Sequence, residues 1–391
     1  NAHIEGNSIT ISSGAYYNYC INGNNNTIIN NDLSTYADNY SYAIYNTGSG
    51  ETAAEISGNS IIADYDATGI YGNQLNIHNN TISGDGGLGI DIVGFAGHSL
   101  IENNEITITG AGVRVANYAN IVMQYNLVNS GGTALNIFDN AGGLFSNNTF
   151  VGNSSGTGLL VYGTDTELNI YNNIFTGFNE GVNIDIGLSD IRYNNIWDNT
   201  GSDFIGEGLP PFFGSVEAEN LNGDPSDLYG NIFMDPQFAL ADSGNYNLQI
   251  ISPCINAGHP DLDNDGIDWE EDTDDQDPDG TVMDIGAFYR DINDTTDVFG
   301  CTDEIACNYN EQATQNNGSC IYASTWYWDE DGDGMGVPES TIEGCAGDIP
   351  ADFVDNADDP DPQCATNDTD DCDICAGGNL DQDCNGDCNG V

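Results

Sequence analysis

The chain has 391 residues, 63 of them Asp or Glu, against three basic residues (Arg114, Arg192 and Arg290) and no lysine. A formal charge of −60 leaves nothing to neutralise phosphates, which excludes a nucleic-acid binder and disfavours docking on anionic lipid. No apolar run approaches the ~20 residues of a membrane span, so membrane insertion is not expected. Self-repulsion of this size calls for bound divalent cations or a salty medium.

From the N-terminus onward a pattern apolar-x-x-Asn-x-apolar recurs. It is anchored at Asn7, Asn26, Asn59, Asn80, Asn104, Asn126, Asn148, Asn173, Asn194 and Asn231, the second and last with weaker surroundings. From Asn59 to Asn194 the spacings are 21, 24, 22, 22, 25 and 21 residues. Between anchors lies a second signal, a small residue followed by apolar-x-apolar, as in Gly89-Ile90-Asp91-Ile92 and Gly112-Val113-Arg114-Val115. Such alternation means short strands with one buried face. A fixed period of this length without helical stretches is one coil of a solenoid, and coils must stack to bury their inner faces. The Asn is expected at a bend, where it tolerates left-handed backbone, with its amide hydrogen-bonding to the Asn of the next coil. Nine intervals at ~4.8 Å predict a rod of roughly 43 Å.

These repeats resemble the pectate-lyase-type parallel β-helix superfamily, in the form found in large bacterial surface proteins. The resemblance extends through Asp235-Pro236-Gln237-Phe238, Ser252-Pro253-Cys254-Ile255-Asn256-Ala257-Gly258 and Asp284-Ile285-Gly286-Ala287-Phe288, which look like the terminating segment of such helices. It implies an all-β chain with a right-handed parallel β-helix over residues 1–290.

Strand alternation defines outward columns. One runs Tyr45, Tyr71, Asp91, Arg114, Asn136, Leu160, Asn183; a second holds Val93, Ala116, Phe138, Tyr162, Asp185; a third His78, Glu102, Gln124, Ser146, Tyr171, Arg192. The superfamily includes polysaccharide lyases and glycoside hydrolases, so Asp91 and Arg114, one coil apart, are the candidate catalytic pair. A surface ion pair is the plainer expectation. No column stacks several acids, and no lysine exists to act as base. His3, His78, His98 and His259 fit no triad or zinc spacing. The outward Tyr45, Tyr71, Phe138 and Tyr162 form a candidate ligand surface, for stacking on sugar rings or for a protein partner.

The acid concentrates late: 37 of the 63 carboxylates and nine of the 11 cysteines follow residue 260. Asp261, Asp263 and Asp265, then Gly266, with Asp272 at the twelfth position, have the spacing of a calcium loop, whose ligands come from positions 1, 3, 5 and 12. Asp329, Asp331 and Asp333 repeat it, but with Ser340 at position twelve, so another residue must close that shell. Together with Trp326-Tyr327-Trp328, the second loop resembles the thrombospondin-type-3-like calcium repeats of bacterial surface proteins. Residues 291–322 resemble a short cysteine module, and 323–391 an acidic cysteine-rich one, of secreted proteins from marine Bacteroidetes-like bacteria. With no histidine or basic residue near it, Cys372-x-x-Cys375 is expected in structural disulfides. The odd cysteine count predicts a free thiol or a partner elsewhere. No signal peptide is apparent and the pattern breaks off at Val391, so a processed chain or a fragment is expected. The combined expectation is an extracellular or cell-surface protein with calcium as its cofactor. A β-helical rod would serve adhesion or structure on calcium-loaded modules, with a glycan or protein ligand or self-association into a fibre; a polysaccharide-cleaving enzyme is the alternative.

Overall fold

The computed structural model describes residues 2–12, 17–36, 40–48, 53–94, 98–163, 167–185, 188–291, 298–316, 318–380, 382 and 386–388. The chain divides into two compact units, Asn1–Asp294 and Thr295–Val391.

In the first unit each coil gives one strand to each of three parallel sheets, nine-stranded among the described residues. The first sheet runs from His3–Glu5 to Leu188–Arg192, the second from Ser8–Ile11 to Asn195–Trp197, and the third from Asn18–Asn24 to Ser202–Ile205. Strand register stacks like on like. Ile28, Ile56, Ile77, Ile101, Met123, Phe145, Ile170 and Ile191 form one inward column. Leu33, Ile61, Ile82, Ile106, Val128, Phe150, Phe175 and Ile196 form another. All of these are at most 1 % exposed, and each such side chain contributes roughly 1.5–3 kcal/mol on leaving water. The small residue that precedes the apolar-x-apolar run of the third-sheet strands answers to close approach. A Cβ on Gly112 would lie 2.5 Å from both the Ala134 carbonyl oxygen and Val128 Cγ1.

The asparagine ladder is present and differs from expectation in two respects. Its rungs are Asn7, Asn31, Asn59, Asn80, Asn104, Asn126, Asn148, Asn173, Asn194 and Asn231, each Nδ2 donating to the next Oδ1 at 2.9–3.1 Å. Asn26 is not a rung; it exchanges hydrogen bonds with Asn46 instead. Nor do the rungs take the left-handed backbone. That falls to the preceding residue: Asn30, Asn79, Asn103, Asn147 and Asn172 at φ 53–57°, and Tyr125 and Tyr193 at 56° and 53°. The recurrent Asn-Asn doublets therefore divide the labour, the first turning the chain and the second bonding along the rod. Because every rung donates in the same direction, the last one needs an acceptor. Asp227, 1 % exposed, supplies it: Oδ1 accepts from the Asn231 N–H at 3.0 Å and both oxygens receive Nδ2.

Beyond the last coil the chain turns back along the rod, over the corner between the first and second sheets. Asn147 Nδ2 donates to the Asp284 carbonyl, Asn172 Oδ1 accepts from the His259 N–H, and Thr149 Oγ1 accepts from the Ala287 N–H. Cys254, Ile255, Ala257 and Ile285 pack with Ile174 and Ile232 in a second small core. This cover buries Ser146 and Tyr171, so the third outward column is solvent-facing only in part. His259 is buried too, its ring packed against Tyr171 and Tyr193, with its pKa lowered by burial and then by Arg192.

The second unit has little regular structure. A three-stranded antiparallel sheet joins Ser324–Trp328 to Val337–Gly344 and Phe353–Val354. Among the described residues four disulfides link Cys301–Cys320, Cys307–Cys345, Cys364–Cys375 and Cys372–Cys388. Cys372 and Cys375 are thus both bridged, but to separate partners, and Cys307–Cys345 crosses the boundary drawn at residue 322. Cys384 lies outside the described residues. Cys20 and Cys254 hold free thiols; burial pushes that of Cys254 up to about 12. No helix among the described residues is long and apolar enough to cross a membrane.

Candidate functional site

In each aspartate loop three carboxylates converge, with ligand atoms within 4.8 Å of one another: Asp261, Asp263 and Asp265 in the first, Asp329, Asp331 and Asp333 in the second. Local hydrogen bonding bends the chain this way. Asp261 Oδ2 accepts from the Gly266 N–H at 3.1 Å, and Asp329 Oδ2 from the Gly334 N–H at 3.0 Å, each bond closing the loop on a glycine with positive φ. The second loop is the hairpin connection between Ser324–Trp328 and Val337–Gly344.

What completes each triad was not legible in the spacing. Asp272, at the twelfth position, is not part of the first triad. It is the N-cap of a 3-10 turn over Thr273–Asp275, where its carboxylate accepts from the Asp274 N–H at 3.2 Å. Asp275 lies close to the triad, near enough to feel the charges of Asp261 and Asp263. It is 1 % exposed; Oδ1 accepts from the Leu262 N–H at 2.6 Å, while Oδ2 has no hydrogen-bond partner. Burial raises its pKa first, and repulsion from Asp272, Asp261 and Asp263 adds to it. In the second loop Ser340 lies within Val337–Gly344, and the buried carboxylate is Asp359. Its Oδ2 is likewise unpartnered, and together with Asp333 and Asp329 it raises the pKa of Asp331 beyond the effect of desolvation. The strand Phe353–Val354, paired to Trp328, carries the chain back beside the loop. Asn367 Nδ2 donates to Asp333 Oδ2 at 2.5 Å, leaving its own Oδ1 buried and unsatisfied. A buried carboxylate oxygen without donor or cation is costly. Two such oxygens, each beside a convergent triad of hard oxygen donors, fit a calcium-type ion.

The first outward column has the register read from the sequence. Asp91, 1 % exposed, is held by Arg114 in a two-point pair, Nε to Oδ1 at 2.9 Å and Nη2 to Oδ2 at 2.5 Å. Both carboxylate oxygens of Asp91 are thus engaged by the guanidinium. Tyr45 and Tyr71 are half-buried and stacked on each other at 4.9 Å, and the Tyr42 ring packs edge-on against both. Tyr19 stacks on Tyr42 and Tyr17 on Tyr40, so six tyrosines pave the first coils of the third sheet. Phe138 and Tyr162 stack at 5.1 Å farther along the rod, Tyr162 being 38 % exposed. Tyr19 and Tyr42 share a column that continues through Thr68, Leu88 and Ala111, where no further aromatic follows, so no repeated aromatic signal singles them out in the sequence.

Residues 19–175 match the family described as right handed beta helix region. The solenoid is a right-handed parallel β-helix. Neither the curated proteins nor the solved structures give a match to the chain.

A buried acid pair in the covering segment has a pH consequence. Asp277 Oδ2 accepts from the Asp284 N–H at 2.7 Å, and Asp284 accepts from the N–H groups of Asn256 and Arg290. Burial raises both carboxyl pKa values well above the ordinary range, Asp284 adding to the effect on Asp277 and Asp279 to that on both. Raised folded-state values mean stability that is full below the ordinary carboxylate pKa of about 4 and lost as pH rises through the folded values. At fixed saturating calcium, amide exchange at Ile285, Gly286 and Ala287, corrected for its intrinsic rate, is expected to accelerate between about pH 5 and about pH 8. Asp277→Asn should flatten that profile; an unchanged profile would mean the pair does not hold a proton.

Proposed function

We propose that the chain belongs to a secreted or cell-surface protein whose β-helix is a non-catalytic display rod and whose two aspartate loops bind calcium. The observation that carries this reading is the buried, unpartnered carboxylate oxygen beside each triad, Asp275 and Asp359. Donor chemistry favours calcium. The ligands are carboxylates and an amide oxygen, with no histidine or thiolate, and hard oxygen-rich shells suit that ion. Bound there, calcium would supply the charge that offsets the clustered acids. Asp261, Asp263, Asp265 and Asp275 would hold one ion, and Asp329, Asp331, Asp333 and Asp359 with Asn367 the other. Four disulfides support an oxidising and hence extracellular setting. The non-catalytic reading of the rod is supported by the Asp91–Arg114 pair, in which the acid is buried and doubly hydrogen-bonded. In this reading the rod presents a surface for adhesion and the second unit acts as a stapled spacer.

Calorimetric titration of the whole chain with calcium is expected to reveal two sites, matching the two triads, with dissociation constants of roughly 10⁻³ M or tighter. If EDTA leaves melting temperature and protease resistance unchanged and no calcium heat is seen, the proposal fails.

A further inference from the structure

The geometry points to a binding site for an uncharged oligosaccharide in the groove beside Tyr42 and Arg114 on the third sheet. The groove is open, encloses about 430 Å³, and is lined by Tyr40, Tyr42, Asp66, Thr68, Leu88 and Arg114. That volume lies within the range of ligand clefts, roughly 300–1,000 Å³.

Its parts are fixed before any ligand arrives. The guanidinium of Arg114 is oriented by buried Asp91 from one side, yet the side chain remains 43 % exposed. Two of its five N–H donors are spent on Asp91, which leaves three for a ligand. Tyr42 is held by stacking on Tyr19 at 5.5 Å and by edge contacts to Tyr45 and Tyr71 at 5.6 and 5.1 Å. Its hydroxyl, pushed up to about 12 by burial and then by Tyr71, stays a hydrogen-bond donor at any physiological pH. Tyr40, 56 % exposed, stacks on Tyr17 and offers a second ring face. A flat ring beside interleaved donors and acceptors suits a sugar, whose C–H face packs on aromatics while its hydroxyls both donate and accept.

Charge selects the class of sugar. The one cation in the groove is already neutralised by Asp91, and Asp66 adds a free carboxylate. With −60 on the chain as a whole, uronates and sulfated glycans are repelled. An uncharged chain loses nothing to that field and can donate its hydroxyls to Asp66. This inference rests on the display reading of the rod and not on the calcium loops.

The test titrates the calcium-loaded whole chain with neutral cello-, xylo-, manno- and laminari-oligosaccharides, with oligogalacturonate as the charged comparison. At least one neutral series is expected to bind. Tyr42→Ala, Tyr40→Ala and Asp66→Ala should each weaken it by about tenfold or more, whereas Tyr162→Ala, on the separate aromatic stack, should not. Tyr40 and Asp66 are exposed, so their variants remain informative if Tyr42→Ala does not fold. The proposal is overturned if no neutral series binds, if oligogalacturonate binds as well as the neutral sugars, or if the Tyr40 and Asp66 variants bind unchanged. Calcium titration of the same samples separates these failures from a failure of the metal reading.

Discussion

Asn126→Ala is expected to destabilise the rod by about 4 kcal/mol, one of the largest single-residue effects in this chain. Asn126 is fully buried in mid-ladder. Its Oδ1 accepts from both the N–H and Nδ2 of Asn104, and its Nδ2 donates to Asn148 Oδ1 and to the carbonyls of Ile101 and Gln124. Removing the amide strands these groups in a site closed to water, at roughly 1–3 kcal/mol for each one left unsatisfied. Coils interact only with their neighbours, so the loss should be concentrated around the break. Asp227→Ala should act similarly at the end of the ladder, because Asn231 then has buried donors and no carboxylate. Denaturant unfolding checks both, with exposed Asn22→Ala as the neutral comparison. A loss below about 1 kcal/mol for Asn126→Ala would mean that water replaces the missing amide.

The second large effect should change sign with calcium. Asp275→Asn removes a charge that is buried and pressed by Asp272, Asp261 and Asp263. Without calcium that repulsion is uncompensated, so the variant should melt higher than the parent. With calcium the same change takes away a ligand, so affinity at that site should fall by roughly tenfold or more and the variant should melt lower. Asp359→Asn should behave alike at the second loop. Asp272→Asn, which alters a cap rather than the buried oxygen, should leave the first site's affinity nearly intact. Melting curves with calcium and with EDTA decide the matter: a shift of the same sign in both conditions would make Asp275 a structural residue and not a ligand.

Much of the rod was readable in advance because a solenoid is a local code repeated. Inward Ile and Val, the small residue ahead of the apolar-x-apolar run of the third-sheet strands and the Asn period each follow from one coil and its neighbour. That is why the column from Tyr45 to Asn183 has the register read from the sequence. In the second coil two asparagines compete for one role. Asn26 and Asn31 both sit near apolar neighbours, and only stacking decides which amide meets Asn7 and Asn59. The Asn-Asn doublets hid a division between turning and bonding that depends on backbone torsion rather than residue type.

The candidate sites divide in the same way. The D-x-D-x-D-G runs identify themselves, since positions 1, 3 and 5 converge whenever the chain bends at the glycine. The carboxylates that lie close to them are set by the path of the chain afterwards: a 3-10 turn brings in Asp275 in place of Asp272, and a strand paired to Trp328 leads to Asp359. The all-β class, the coil period, the inward columns and the two aspartate triads follow from the residue pattern alone, because each depends on contacts a few residues apart or at one fixed period. The return of residues 254–288 over the rod, the carboxylate that ends the ladder, the disulfide pairing and the tyrosine groove emerge from long-range packing. Those depend on which distant segments pack together, and burial, not spacing, determines which polar atoms are left there without a partner.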